Sequence, residues 1–203
     1  GQGGSYRDLF RGRLMFPIRD AQKRLVGFGG RALDGSEPKY LNTPQSPVFN
    51  KGRLLYGLDR ARDAIRDKGE VVVVEGYMDV IGTHQQGFTN VVASMGTALT
   101  EAQVTTLAGM ISHICLCLDA DAAGKKAAGR SLDILLGEEL AVKVAQLPGG
   151  KDLFDFLETA GKEEIGRLIE GAADFLDFVY ENASQKHNLS TTSGRAAAAD
   201  ELL

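Results

Sequence analysis

Tryptophan is absent from this chain, and cysteine nearly so, with only Cys115 and Cys117 present. Standing two apart in an apolar run, they face one side of a strand and cannot furnish a four-ligand zinc site. Zinc is therefore not expected, and the pair reads as packing thiols in a reducing, cytoplasmic setting. Histidine is scarce too: His84, His113 and His187 lack ligand spacing. No apolar run approaches the roughly 18 residues of a membrane span. The opening Gly1-Gln2-Gly3-Gly4 has no basic segment leading into an apolar stretch, so no secretory leader is expected either. Of only five prolines, three fall between Gly35 and Pro47, which marks that stretch as a surface loop.

What is present is a strong asymmetry of charge. Residues 1–69 hold 14 Lys and Arg against 7 Asp and Glu, whereas the remainder holds 9 against 20. The net charge of −4 hides a basic part suited to polyanions and an acidic part suited to cations. With 43% apolar residues in 203, the chain can bury a sizeable core.

The periodicity divides the chain in three. Leu14 to Arg19 and Leu25 to Leu33, separated by Asp20-Ala21-Gln22-Lys23, predict a hairpin in a basic β-rich unit over 1–56. From Leu58 strands and helices alternate: helix to Lys68, strand Val71 to Glu75, helix Met78 to Gln86, strand Val91 to Ser94. Helix Glu101 to Ile111, strand Ile114 to Asp119, helix Ala122 to Leu136 and strand Ala141 to Gln146 follow. Thr100 with Gln103 forms a capping box, and Gly69 and Gly87 sit where helices should end. Alternation of this kind implies an α/β fold with a parallel sheet over 57–150. Residues 151–203 are helical and acidic: Leu153 to Glu158, Glu163 to Ile169, Ala173 to Gln185, and a last helix capped by Ser190 or Thr192. That helix runs to Leu203 without a C-cap, and the start is equally abrupt, so a piece of a longer protein is expected.

The acids carry the chemistry. Glu75 ends the run Val71-Val72-Val73-Val74, and Asp119 with Asp121 ends Ile114-Cys115-Leu116-Cys117-Leu118. Each stands where a buried parallel strand delivers it to the sheet rim. Clustered carboxylates repel and drive one another toward protonation unless a cation neutralises them. Oxygen-only ligands select Mg²⁺, with Mn²⁺ as the alternative, and Mg²⁺ bound this way also takes substrate phosphates. Asp79 lies in the first turn of its helix, where the dipole favours a carboxylate. Asp152 either caps the helix from Leu153, joins the metal shell, or does both, with Asp155 one turn further.

Glu75-Gly76-Tyr77-Met78-Asp79, followed some forty residues on by Asp119-Ala120-Asp121-Ala122-Ala123-Gly124, resembles the Toprim signature of primases, topoisomerases and some nucleases. Arg13-Leu14-Met15-Phe16-Pro17-Ile18, Gly27-Phe28-Gly29-Gly30-Arg31, Pro38-Lys39-Tyr40-Leu41-Asn42, Leu55-Tyr56-Gly57 and Ala93-Ser94-Met95-Gly96-Thr97-Ala98 narrow this. Together they resemble the catalytic core of bacterial DnaG-type primases from Phe10 to Asp155. The resemblance implies an RNA polymerase core that condenses ribonucleoside triphosphates into primers on single-stranded DNA. It implies Mg²⁺ on the catalytic residues Glu75, Asp119 and Asp121, assisted by Asp79 and Asp152. Arg11, Arg13, Arg31, Lys39, Asn42 and Lys51 are then the nucleotide- and DNA-binding residues. It also implies a replicative helicase partner, engaged through a region expected to lie beyond this chain. Two positions depart from the family pattern: Ala120 replaces a common Gly, and Phe154 stands where a second acid often follows Asp152. The competing readings are a Toprim nucleic-acid-binding module and a Toprim nuclease, both without primer synthesis.

Overall fold

The computed structural model describes residues 7–96, 98–118, 131, 134–135, 137–148 and 152–202. Strands β1 (Arg13–Arg19), β2 (Leu25–Ala32) and β3 (Tyr40–Asn42) form a small antiparallel sheet in the order β1-β2-β3. The predicted hairpin is present, closed by Asp20, whose carboxylate accepts from the backbone N–H groups of Gln22 and Arg24. Strand β3 was not expected, since the loop predicted over Gly35 to Pro47 contains it. Its three residues, set among prolines, give no alternation to detect, and pairing with Gly29, Gly30 and Arg31 of β2 supplies what local pattern does not.

The second sheet runs β5-β4-β6-β7-β8, from β4 (Glu70–Val74), β5 (Val91–Ala93), β6 (His113–Leu118), β7 (Ala141–Gln146) and β8 (Ala173–Asp174). The first four are mutually parallel, as the alternation predicts, while β8 pairs antiparallel at the β7 edge. Ala173 and Asp174 were expected to begin a helix. They instead complete the sheet, and Asp174 caps the helix that follows by accepting from the Leu176 N–H.

Helices flank both faces. These are α1 (Leu58–Lys68), α2 (Tyr77–Gln85), α3 (Glu101–Ala108), α4 (Leu153–Thr159), α5 (Lys162–Glu170), α6 (Phe175–Lys186) and α7 (Thr192–Leu202). Helix α3 stops at Ala108, three residues short of expectation. The helix expected over 122–136 lies largely outside the described residues, of which Ser131, Ile134 and Leu135 are helical. The two-residue period of the strands decides the packing. Val71, Val73, Ile114 and Leu116 face Leu58, Ile65, Val104 and Leu107, while Val72, Val74, Cys115 and Cys117 face Val80, Leu153, Phe156 and Ile165. Both thiols are therefore core groups, and burial pushes that of Cys115 up to about 12. No helix among the described residues is long and apolar enough to cross a membrane.

A third apolar cluster, Phe16, Ile18, Phe49, Tyr77 and Met95, cements the small sheet onto α2. It holds the basic unit over the C-terminal rim of the large sheet, which is what positions the site.

Candidate metal and nucleotide site

Strand β4 is buried along Val71–Val74 and releases the chain at Glu75, which is partly exposed at the rim. The Glu75 carbonyl accepts from the Gly96 N–H at 3.1 Å, tying the ends of β4 and β5. Gly76 then caps α2 in an extended conformation, and the Asp79 carboxylate accepts from the Gly76 N–H at 2.8 Å. This bond turns Asp79 back toward Glu75 rather than outward. Asp79 is only 9% exposed, and its pKa is raised to about 6. Burial is the main cause, with Asp152 and Glu75 adding negative potential, while the Gly76 hydrogen bond opposes both.

Asp152 approaches from the end of β7. Its Oδ1 accepts from the Asp155 N–H at 2.7 Å, so it caps α4, and it also lines the same cavity as Glu75 and Asp79. The capping role is thus present, in a side chain that also stands at the cavity wall. Phe154 and Asp155 line the cavity as well.

The opposite wall belongs to the basic unit. Arg31 from β2, Lys39 preceding β3, Tyr40 and Asn42 on β3, and Lys51 on a 3₁₀ turn at Lys51–Arg53 enclose about 440 Å³ against the acids. The Arg31 guanidinium lies 5.9 Å from the centre of the Tyr40 ring. The capping box of α3 secures the Lys51 turn. Thr100 Oγ1 donates to the Gly52 carbonyl at 2.6 Å, and the buried Gln103 Nε2 donates to the carbonyls of Lys51 and Leu54. Partial burial lowers the Lys51 pKa.

The structure brings Arg31, Lys39, Asn42, Lys51, Glu75, Asp79 and Asp152 to one cavity. It does not bring Arg11 or Arg13 there. Arg13 donates to the carbonyls of Gly30 at 3.2 Å and Pro38 at 2.8 Å, bracing the loop that carries Lys39, and Arg11 is exposed ahead of β1. Asp119 and Asp121 lie outside the described residues. Strand β6, which leads to them, ends at Leu118 beside β4 in the sheet. Among the described residues no three His, Cys, Asp or Glu side chains form a group that could hold a metal. The donors that are present still fit a hard cation. They are carboxylates only, and Asp152 and Glu75 add negative potential at the buried Asp79, which a divalent ion would offset.

Six further residues line the cavity without having been expected as site residues: Tyr40, Gly76, Tyr77, Met78, Met95 and Gly96. Met95 and Gly96 both have positive φ, 62° and 81°, a turn signalled only by the glycine.

Asp79 yields a stability prediction. A carboxyl whose folded pKa lies above its ordinary value contributes stability that is fully present below pH about 4 and lost as pH rises through about 6. Above that, its charge costs at most roughly 3 kcal/mol. Asp79→Asn keeps the acceptor for Gly76 and removes the charge. The metal-free variant is expected to melt several degrees above the parent at pH 8 and level with it at pH 3.5. Equal melting temperatures at pH 8 would show that the charge is not a liability.

A largely parallel sheet with carboxylates at its C-terminal rim, facing a cationic unit across one cavity, is an arrangement of the Toprim class. Family models agree: Toprim-like over residues 72–157, DNA primase catalytic core, N-terminal domain over 1–62, and DnaB-helicase binding domain of primase over 176–203. The DNA primase of Deinococcus radiodurans is 48% identical over 204 residues, covering 100% of this chain and 36% of the relative. That of Synechococcus elongatus is 45% identical over 193 residues, covering 92% and 28%. Among solved structures, a Pseudomonas aeruginosa DNA primase domain superposes with TM-score 0.86 at 41% identity, covering 95% of this chain and 61% of that one. The zinc-binding and RNA polymerase domains of the Aquifex aeolicus primase give 0.82 at 37%, covering 98% and 52%. This chain belongs to the DnaG-type DNA primase family. It spans about a third of the length of the curated relatives it matches.

One expectation needs correction. The helicase-binding region was expected to lie beyond Leu203, yet the helicase-binding family model matches 176–203, which is α6 and α7. Those helices carry no helicase-specific motif legible without comparison.

Proposed function

We propose that this chain forms the central part of a primase RNA polymerase core, joining ribonucleotides into primers on single-stranded DNA in the cytoplasm. The observation that carries this reading is the single cavity with Arg31, Lys39 and Lys51 on one wall and Glu75, Asp79 and Asp152 on the other. The cations attract and orient the phosphates of template and incoming ribonucleoside triphosphate. The acids hold Mg²⁺, Mn²⁺ being the alternative, through Glu75, Asp119 and Asp121 with Asp79 and Asp152 in support. When bound, the ion activates the attacking hydroxyl and neutralises the leaving pyrophosphate. Asn42 contributes a neutral amide between the two charge fields. Arg13 serves this wall indirectly by holding the Lys39 loop, and Arg11 lies on the approach of the strand. Residues 1–56 form the basic unit, 57–150 the Toprim unit and 151–203 the helical segment, whose α6 and α7 face the replicative helicase.

Two measurements test the reading. In calorimetry, Mg²⁺ should bind the parent chain and fail to bind Asp119→Ala; binding of single-stranded DNA with no Mg²⁺ response in either would favour a binding module. Affinity for single-stranded DNA should fall with salt, with a log–log slope near −2 if about three cations meet phosphates. Lys39→Ala should reduce that slope by about 0.7. An unchanged slope would remove Lys39 from the DNA path.

A further inference from the structure

Tyr77 follows Glu75 and Gly76 directly, but its side chain leaves the acids and enters the small sheet. It is 3% exposed, and its ring stacks on Phe16 with centroids 4.9 Å apart and planes within 3°. Tyr56 meets it edge-on at 4.7 Å. Gly29 of β2 lies against the ring so closely that a Cβ there would sit 2.5 Å from Cζ. Three contacts from three segments fix the ring, so the hydroxyl has one place to go. It reaches Asn42 Oδ1 at 2.5 Å, with Met95 Sδ second at 3.6 Å. A thioether is a weak acceptor, so the single hydroxyl proton belongs to Asn42. Burial raises the Tyr77 pKa, which keeps that proton in place.

The consequence falls on Asn42. An amide can offer either oxygen or nitrogen to a ligand, and which one it offers decides what it recognises. With Oδ1 engaged by Tyr77, Nδ2 has no hydrogen-bond partner among the described residues, and Asn42 lines the cavity. We propose that Tyr77 is a positioning residue that locks Asn42 as a pure donor, so that the cavity wall reads an acceptor oxygen of the phosphoryl class. This rests on the reading of the cavity as a nucleotide and DNA site. It also explains why a neutral residue sits between Arg31 and Lys51: a fixed N–H imposes direction, whereas two flexible cations supply only attraction.

The test uses the whole chain with two probes, a fluorescein-labelled oligothymidylate and ATP, each with Mg²⁺. Asn42→Ala should weaken binding about ten- to a hundredfold, the scale of one lost hydrogen bond to a charged group. Asn42→Asp, which still accepts from Tyr77 but turns an oxygen to the cavity, should be weaker still. Tyr77→Phe keeps the stacked ring and should weaken binding about threefold in the parent and not at all in Asn42→Ala, because the two act as one unit. The Asn42 side-chain amide signals in a ¹⁵N correlation spectrum should shift or broaden in Tyr77→Phe while those of the α2 backbone beyond its first turn stay in place, a response that loss of packing alone does not produce. A loss confined to the oligonucleotide assigns the acceptor to the template backbone, and a loss confined to ATP assigns it to the incoming nucleotide; both support the lock. Parental binding by Tyr77→Phe, additive losses in the double variant, or Asn42→Asp binding better than Asn42→Ala overturns it. Failure of primer synthesis with the Asn42 order intact would sink only the polymerase reading.

Discussion

Glu75→Gln is expected to lower primer synthesis about 10²–10³-fold, the cost of removing one preorganised charge from a closed site. The substitution is nearly isosteric, and Glu75 stands at the partly exposed end of a strand whose four preceding residues are buried, so the fold should survive it. A second readout moves the other way. Without metal, Glu75 repels phosphate and adds negative potential at Asp79, and Gln does neither. Metal-free affinity for single-stranded DNA should therefore rise while turnover falls. A structural lesion lowers both together, so opposite signs identify an electrostatic role. Turnover within threefold of the parent would remove Glu75 from the catalytic set.

The same residues show how much of this molecule was legible beforehand. Strands β4 and β6 announce themselves as continuous apolar runs, because burial on both faces leaves no alternation to preserve, and Glu75 at the end of β4 is then placed by topology alone. Thr100 and Gln103 are legible as a capping box, since that motif needs only four residues of local chain. Their second task was not: Thr100 Oγ1 and Gln103 Nε2 clamp carbonyls about fifty positions away, and nothing local records a long-range partner. Arg13 has a second task of the same kind: its Nη1 braces the carbonyls of Gly30 and Pro38, seventeen and twenty-five positions away, and nothing local records that. Strand β8 and the three residues of β3 were missed for a related reason, because very short strands exist only through their pairing. Tyr77 lay in plain view within the acidic motif, and its burial among Phe16, Tyr56 and Gly29 is a tertiary fact with no periodic trace.

That burial makes Gly29→Ala a damaging change to the scaffold despite its small size. Gly29 pairs with Phe16 on one side and Asn42 on the other, in an ordinary extended conformation, so the requirement for glycine is spatial. An added Cβ would stand 2.5 Å from Tyr77 Cζ and 2.6 Å from its hydroxyl oxygen. A flexible side-chain tip could swing away at little cost, but this ring is stacked on Phe16 and braced by Tyr56. Relief must come from moving the small sheet off α2 or displacing the ring, an overpacking cost of about 1–3 kcal/mol. In either case the Tyr77 hydroxyl leaves Asn42. Gly29→Ala should therefore lower the melting temperature by several degrees and weaken nucleotide binding beyond the effect of Tyr77→Phe, since the whole cationic wall shifts against the acids. Pairing it with a smaller residue at the ring, Tyr77→Leu, should recover much of the lost stability by freeing the space while leaving binding impaired. Recovery of stability without recovery of binding separates the two duties of Tyr77, filling the interface and fixing Asn42. A Gly29→Ala chain that melts with the parent would mean that the sheet and helix yield more easily than a stacked aromatic cluster allows.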